Sequence, residues 1–316
     1  MKKKKRPGFP GIYKSVLCVF TAFVLLDTFL IQHAYSTAAS DTDSAAAVVS
    51  TVSSSGSAAA AADTASSTPT DAMTTDDSYS DGNITIKLTT CRENDTNIYV
   101  ADVTLSSAEY LNTVLADGTY GRNITEKTST IADEADAILA VNGDYYGAQQ
   151  SDYVIRNGVL YRSTVSDDDQ EDLVIDESGD FSIVTEGSTT AQALLDAGAQ
   201  QVLSFGPALI ENGEIAVSED EEVGKAMTSN PRTAIGQIDS LHYVFVVSDG
   251  RTSASEGLSL SELASFMQSL GCKTAYNLDG GGSSTMVFNG TVINQPTTNG
   301  STISERKVSD IVSIGY

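Results

Sequence analysis

Asn277-Leu278-Asp279-Gly280-Gly281-Gly282-Ser283-Ser284-Thr285-Met286 sets an acid, three consecutive glycines and two serines between two apolar runs. Thr274-Ala275-Tyr276 leads into it and Val287-Phe288 follows. Each glycine costs roughly 0.5–1 kcal/mol relative to alanine in lost chain entropy. A folded chain accepts three in a row where backbone needs positive φ or must approach a ligand closely. Two readings of the segment stand side by side. It is either a strand–turn–strand connection whose Asp279 caps the turn, or a strand end that offers a carboxylate to a substrate.

Upstream, Val244-Phe245-Val246-Val247-Ser248-Asp249-Gly250-Arg251 repeats the pattern of an apolar run ending in an acid, a glycine and a base. A helix lies between the two. Ser259 and Glu262 form a Ser-x-x-Glu capping box, Leu260, Leu263, Ala264, Met267 and Leu270 recur at helical spacing, and Gly271 supplies the stop. The order is strand, polar loop, helix, strand, polar loop. If the two strands are parallel and adjacent, Asp249, Arg251 and Asp279 share one rim.

The motifs in order along the chain resemble the phosphodiester glycosidase family. They are Ala140-Val141-Asn142-Gly143-Asp144-Tyr145-Tyr146-Gly147, Phe205-Gly206-Pro207-Ala208-Leu209-Ile210 with Asn212-Gly213, and Pro231-Arg232-Thr233-Ala234-Ile235-Gly236. Asp249-Gly250-Arg251, Gly257-Leu258-Ser259-Leu260-Ser261-Glu262-Leu263-Ala264, Asn277 to Ser284 and Ser304-Glu305-Arg306 follow. The similarity spans roughly Ile98 to the C-terminus. Asp144-Tyr145-Tyr146 departs from the Gly-Phe-Phe of many relatives. The resemblance implies cleavage of sugar phosphodiesters, and it extends to bacterial proteins associated with exopolysaccharide.

Composition bounds the remainder of the chain. Lys2, Lys3, Lys4, Lys5, Arg6 and Lys14 precede an apolar stretch from about Ser15 to Ile31, close to the roughly 20 residues that span a bilayer. With Asp27 near its outer end, residues 1–35 read as a cytoplasmic basic tail and an uncleaved signal anchor. Ala34-Tyr35-Ser36-Thr37-Ala38 offers the alternative of cleavage and secretion. Residues 36–83 are Ala, Ser, Thr and Asp with almost no large apolar side chain, too little to offset ordering entropy. They read as a disordered linker, and residues 84–316 as a single domain. Beyond the apolar stretch 12 Lys and Arg stand against 41 Asp and Glu, a net charge of −29. Such a surface excludes nucleic acid as a partner and makes the few arginines informative if the substrate is anionic. Two histidines, His33 and His242, are too few for a zinc site. Cys91 and Cys272 are candidates for a disulfide that spacing alone does not decide.

The pattern within the domain is mostly short strands. Ile84-Thr85-Ile86-Lys87-Leu88 and Ile98 to Leu105 alternate with period two. Asn157-Gly158, Asn212-Gly213 and Asn289-Gly290 are hairpin signals. Helices are expected around Ser129 to Ala137, from Thr190 to Ala197, and after Ser259. The fold class is therefore α+β or mixed α/β, strand-rich with a few helices. Asp167-Asp168-Asp169 with Glu171 and Asp172 reads as a solvated acidic loop.

A phosphodiester leaving group needs little protonation but does need positive charge on its oxygens, which arginine supplies through a planar fork. The sugar passes through an oxocarbenium-like state that a carboxylate stabilises. Asp279, Asp249 and Arg232 are therefore the catalytic candidates. Asn142, Asp144, Arg251, Asn277, Gly280, Gly281, Gly282, Ser283, Ser284, Glu305 and Arg306 are the substrate-binding candidates, the glycine loop as a nest of N–H groups. Each has a structural rival: Asp249-Gly250 as a simple turn, Glu305 and Arg306 as a surface pair. No cofactor is expected, and the need for a divalent cation such as calcium stays open. The expected function is an exported, membrane-tethered glycosidase of cell-surface or extracellular glycans. The alternatives are a non-catalytic module for anionic polysaccharide and a glycosyl transferase.

Overall fold

Alternating apolar residues and Asn-Gly turns account for most of the strands. The computed structural model describes residues 72–166, 169–217 and 229–316, within a compact unit of residues 64–316. In chain order the strands are β1 (Met73–Thr74), β2 (Ser78–Ser80), β3 (Ile84–Glu93), β4 (Thr96–Leu105), β5 (Leu111–Leu115) and β6 (Leu139–Asn142). They continue as β7 (Asp152–Arg156), β8 (Val159–Thr164), β9 (Glu171–Asp176), β10 (Phe181–Thr185), β11 (Ala199–Leu203), β12 (Ala208–Glu211) and β13 (Glu214–Ile215). The last six are β14 (Arg232–Asp239), β15 (His242–Ser248), β16 (Thr274–Leu278), β17 (Met286–Phe288), β18 (Thr291–Val292) and β19 (Asp310–Ile314). The helices are α1 (Thr128–Glu134), α2 (Ala191–Asp196) and α3 (Leu260–Ser269).

Three sheets result. A nine-stranded sheet has the order β1-β2-β3-β4-β15-β14-β16-β12-β13, and two five-stranded sheets run β10-β9-β11-β7-β8 and β18-β17-β6-β19-β5. The large sheet is covered on both faces, which is why β15 reads as a continuous apolar run rather than an alternation. Tyr243, Phe245 and Val247 join Leu139, Val141, Met286 and Val312 of the β6 sheet in the main core. Val244 and Val246 point the other way, against Leu260, Leu263, Ala264 and Met267 of α3. Burial of each such aliphatic side chain contributes roughly 1.5–3 kcal/mol.

Local chemistry sets the connections. Asn157-Gly158, Asn212-Gly213 and Asn289-Gly290 all have positive φ at both residues, the geometry of the two-residue hairpin turn. α3 starts with the full capping box, Ser259 accepting from the Glu262 N–H and Glu262 from the Ser259 N–H. α2 is capped by Thr190.

Four expectations need correction or placement. β15 and β16 are parallel but not adjacent, because both pair antiparallel with β14, which lies between them. The ordered sheet begins before residue 84: β1 and β2 continue the edge of β3, and Tyr79 buries its ring in the main core. A single tyrosine among small polar residues was too weak a signal to mark that edge. Asp172 belongs to β9, buried between β10 and β11 rather than in a solvated loop; Asp167 and Asp168 lie outside the described residues. The anchor stretch and residues 36–71 lie outside them as well, and among the described residues no helix is long and apolar enough to cross a membrane. Cys91 and Cys272 are free thiols.

Candidate functional site

One edge of the large sheet collects the polar residues. β15 ends at Ser248 before Asp249, β16 ends at Leu278 before Asp279, and β14, antiparallel to both, begins there with Arg232. Two parallel strands with an antiparallel one between thus bring Asp249, Arg232 and Asp279 to the same edge.

Asp279 is the centre of this cluster. It is 7% exposed. Arg306 Nη2 donates to its Oδ1 at 2.9 Å and its Oδ2 at 2.7 Å, and Ser283 Oγ donates to Oδ2 at 2.6 Å. Arg306 Nε donates to Ser283 Oγ at 2.8 Å, and Nη2 reaches the Gly280 carbonyl at 3.1 Å. Ser283 therefore donates to the carboxylate while accepting from the arginine. Burial pushes the Asp279 carboxyl above its usual range, and the Arg306 guanidinium and the Ser283 hydroxyl oppose that shift. The Arg306 side chain is 40% exposed, and Nη1 makes no hydrogen bond among the described residues. One edge of the guanidinium holds Asp279 while another part of it meets solvent.

The glycine loop is a tight turn. Gly281 has a φ of 64°, and a Cβ there would sit 2.9 Å from Arg251 Nη2. The N–H groups of Gly281, Ser283 and Ser284 are donated to Pro231, Gly280 and Gly281 carbonyls. Those three donors serve the turn and are not offered as an anion nest.

Asn142 fixes Asp279 from behind. Its Nδ2 donates to the Asp279 carbonyl at 2.6 Å, and its Oδ1 accepts from Thr233 Oγ1 at 2.8 Å and the Thr285 N–H at 3.3 Å. Asn277 donates through Nδ2 to the Gly206 carbonyl at 2.7 Å. Its Oδ1, with Ser284 Oγ and Thr285 Oγ1, is buried without a hydrogen-bond partner among the described residues.

Beneath this layer lies a buried ion cluster. Arg156 donates from Nη2 to Asp144 Oδ2 at 2.6 Å and from Nε to Asp310 Oδ2 at 2.8 Å, and its guanidinium carbon stands 5.5 Å from the Tyr146 ring centre. Asp144 also accepts the N–H groups of Tyr146 at 3.0 Å and Ser204 at 2.9 Å. Burial raises the Asp310 carboxyl despite Arg156, and its Oδ1 has no partner. Gly143 is needed here, since a Cβ would fall 2.3 Å from that oxygen.

The remaining candidates are tied to neighbouring elements. Asp249 accepts from Tyr99 Oη at 3.0 Å and the Gln295 N–H at 2.7 Å. Arg232 is buried, its Nε on the Leu258 carbonyl at 2.9 Å. Arg251 reaches Asn230 Oδ1 and, at 2.7 Å, the Thr298 carbonyl. Glu305 points away from Asp279 and accepts from Ser129 N at 2.9 Å and Oγ at 2.6 Å, in the first turn of α1. Sequence reasoning missed Arg156 and Asp310. The available signal was a charge closing one apolar strand, Tyr153-Val154-Ile155, and an acid opening another, Ile311-Val312. Among the described residues no group of three or more His, Cys, Asp or Glu has the arrangement of a metal site.

Comparison with known proteins places the fold and the family. The SPbeta prophage-derived uncharacterized protein YomE of Bacillus subtilis is 28% identical over 206 residues, 62% of this chain and 31% of that protein. N-acetylglucosamine-1-phosphodiester alpha-N-acetylglucosaminidase of Mus musculus is 34% identical over 108 residues, 30% of this chain and 21% of the enzyme. The chain thus spans about a third or less of the length of these curated relatives. The catalytic domain of the zebrafish N-acetylglucosamine-1-phosphodiester alpha-N-acetylglucosaminidase, auto-inhibited by its pro-peptide, shares the fold with a TM-score of 0.59 at 18% identity, over 74% of this chain and 83% of that one. The family model for phosphodiester glycosidases matches residues 135–314, the stretch that carries Asn142, Asp279 and Arg306, and the chain belongs to the phosphodiester glycosidase family.

Proposed function

We propose that this chain hydrolyses the glycosyl bond of a sugar-1-phosphodiester at the Asp279 edge. The carrying observation is a buried carboxylate held by one edge of a partly exposed arginine. In this arrangement Asp279 faces the anomeric carbon, stabilising positive charge or activating water. Arg306 and Arg251, on either side of the glycine loop, hold the phosphate oxygens, with Arg232 adding charge from below. Asp249 and Glu305, their oxygens engaged by neighbouring strand, loop and helix residues, serve as anchors in this reading. The relatives named for N-acetylglucosamine-1-phosphodiester support that substrate class. The six basic residues ahead of the apolar stretch support an exported domain tethered to the membrane and acting on cell-surface or extracellular glycans.

The test is incubation of the full-length protein in detergent with a GlcNAc-1-phosphodiester and detection of free sugar. Asp279→Asn preserves shape and removes the charge, and should lower kcat by about 10²–10⁴ with little change in Tm. Near-normal turnover in Asp279→Asn sinks the assignment. Saccharide binding with no turnover on any such substrate leaves a binding module instead. Localisation is read separately, from full-length protein in the membrane fraction with its C-terminal domain open to external protease.

A further inference from the structure

The candidate site is asymmetric along its sheet edge. Strands there run β15, β14, β16, β12, so Arg251 and Arg232 lie on one side of Asp279. On the other side β12, antiparallel to β16, is entered through Phe205-Gly206-Pro207. Three strand spacings of about 4.8 Å separate the β15 end from the β12 start by roughly 14 Å, enough for a sugar ring and a phosphate laid end to end.

On the β12 side two aromatic rings from different loops meet. Tyr145 and Phe205 have ring centres 6.4 Å apart at 86°, and Tyr145 is 41% exposed. Both loops are held by one buried group, because Asp144 accepts the N–H of Tyr146 and of Ser204. The Phe205 N–H is donated to the Tyr276 hydroxyl at 2.9 Å, and Asn277 ties Gly206 to the strand that ends just before Asp279. A cavity of about 210 Å³ lies beside Phe205, lined also by Asp169, Gln170 and Glu171, with no lysine or arginine.

We propose that Tyr145 and Phe205 form a saccharide-binding wall, so that the substrate lies with its sugar toward β12 and its phosphate toward Arg251 and Arg306. The C–H face of a pyranose suits the negative face of an aromatic ring, and Asp169 beside it accepts hydroxyl hydrogen bonds while the acids there repel phosphate. The direction of the substrate rests on the sugar-phosphodiester reading of Asp279; the wall itself is tested without turnover.

The experiment is saturation-transfer NMR on the full-length protein in detergent, with methyl α-N-acetylglucosaminide, N-acetylglucosamine 1-phosphate and inorganic phosphate as probes. Tyr145→Ala should weaken both sugars by the same factor, about three- to tenfold, and leave inorganic phosphate unaffected. Tyr145→Phe should keep sugar binding, which separates ring stacking from loss of fold, and Phe205→Leu should weaken it. The wall is overturned if Tyr145→Ala binds both sugars as wild type does, if the loss is confined to the phosphate-bearing probe, or if neither sugar binds at up to roughly 50 mM. Sugar binding lost in Tyr145→Ala without any hydrolysis by wild type upholds the wall and removes the hydrolase reading. Hydrolysis with unaltered binding in Tyr145→Ala does the reverse.

Discussion

Gly143→Ala isolates the contact between the buried ion cluster and the layer that holds Asn142 and Asp279. The backbone of Gly143 is not in the left-handed region, so the added methyl acts by volume alone. It would lie 2.3 Å from Asp310 Oδ1 and 2.7 Å from Cγ, where ordinary carbon–oxygen contact is about 3.3–3.6 Å. One partner must retreat by about 1 Å. Asp310 is held through Oδ2 by the fully buried Arg156. Gly143 is held by its N–H on the Asp310 carbonyl at 2.9 Å and by its own carbonyl, which accepts the Asp279 N–H at 3.3 Å. Overpacking of this kind costs about 1–3 kcal/mol, a fall in Tm of about 2–12 °C for a domain of this size. A 1 Å shift at Asn142 and Asp279 should lower kcat/KM by about 10²-fold. Thermal melts followed by tyrosine circular dichroism give the first number and sugar release the second. In an Asp310→Ala background the clash is gone, so the added cost of Gly143→Ala should shrink by about 0.5–3 kcal/mol. A Gly143→Ala protein with wild-type Tm and turnover shows that the close approach of Gly143 to Asp310 does not position Asp279.

Three further outcomes are expected. Burial raises Asp152 to about 8 and also raises Asp172 and Asp310, from an ordinary value of 3.8. The native fold then holds protons that the unfolded chain releases, so stability should be fullest at acid pH. It should fall as pH climbs from about 4 through about 9; melts from pH 5 to pH 9 check this, Asp172→Asn should flatten the slope, and stability rising with pH contradicts it. A chain starting at residue 72 should melt cooperatively, while one starting at residue 83 loses β1, β2 and the buried Tyr79 ring. The shorter chain should be less stable by about 3–5 kcal/mol in denaturant titration, and equal stability would show that β1 and β2 are dispensable. Arg306→Lys loses the Nε bond to Ser283 and one of the charge-assisted contacts to Asp279. It should lower kcat/KM by about 10- to 100-fold with little change in Tm, and an equal loss of folded protein would instead make Arg306 structural.

Much of the fold was legible because its determinants are local. The three Asn-Gly turns require positive φ at two successive residues, a steric property of the dipeptide itself. Ser259 and Glu262 start α3 with hydrogen bonds inside one turn. The β1–β2 edge was not legible, because its stability comes from Tyr79 packing into the main core and from Asp81, which accepts from both the Tyr79 and Tyr316 hydroxyls. Those partners lie at opposite ends of the domain.

The site divides the same way. Sequence alone determined that two acid-glycine loops follow apolar strands, that Asn142 and Asp144 end another, and that arginine is scarce enough to stand out in an acidic chain. It ranked Asp279, on the three-glycine loop, ahead of Asp249, although both are acids that close apolar strands. Only the tertiary structure shows how their surroundings differ: Asp279 meets Ser283 and Arg306, and Asp249 is tied to Tyr99, 150 residues away, and to Gln295, 46 residues away. It likewise buried Arg156 between Asp144 and Asp310, 12 and 154 residues distant. The reason is physical. A turn is decided by bonds within a few residues, whereas the charge state and reach of a carboxylate are decided by desolvation and by partners that only the packed chain brings near.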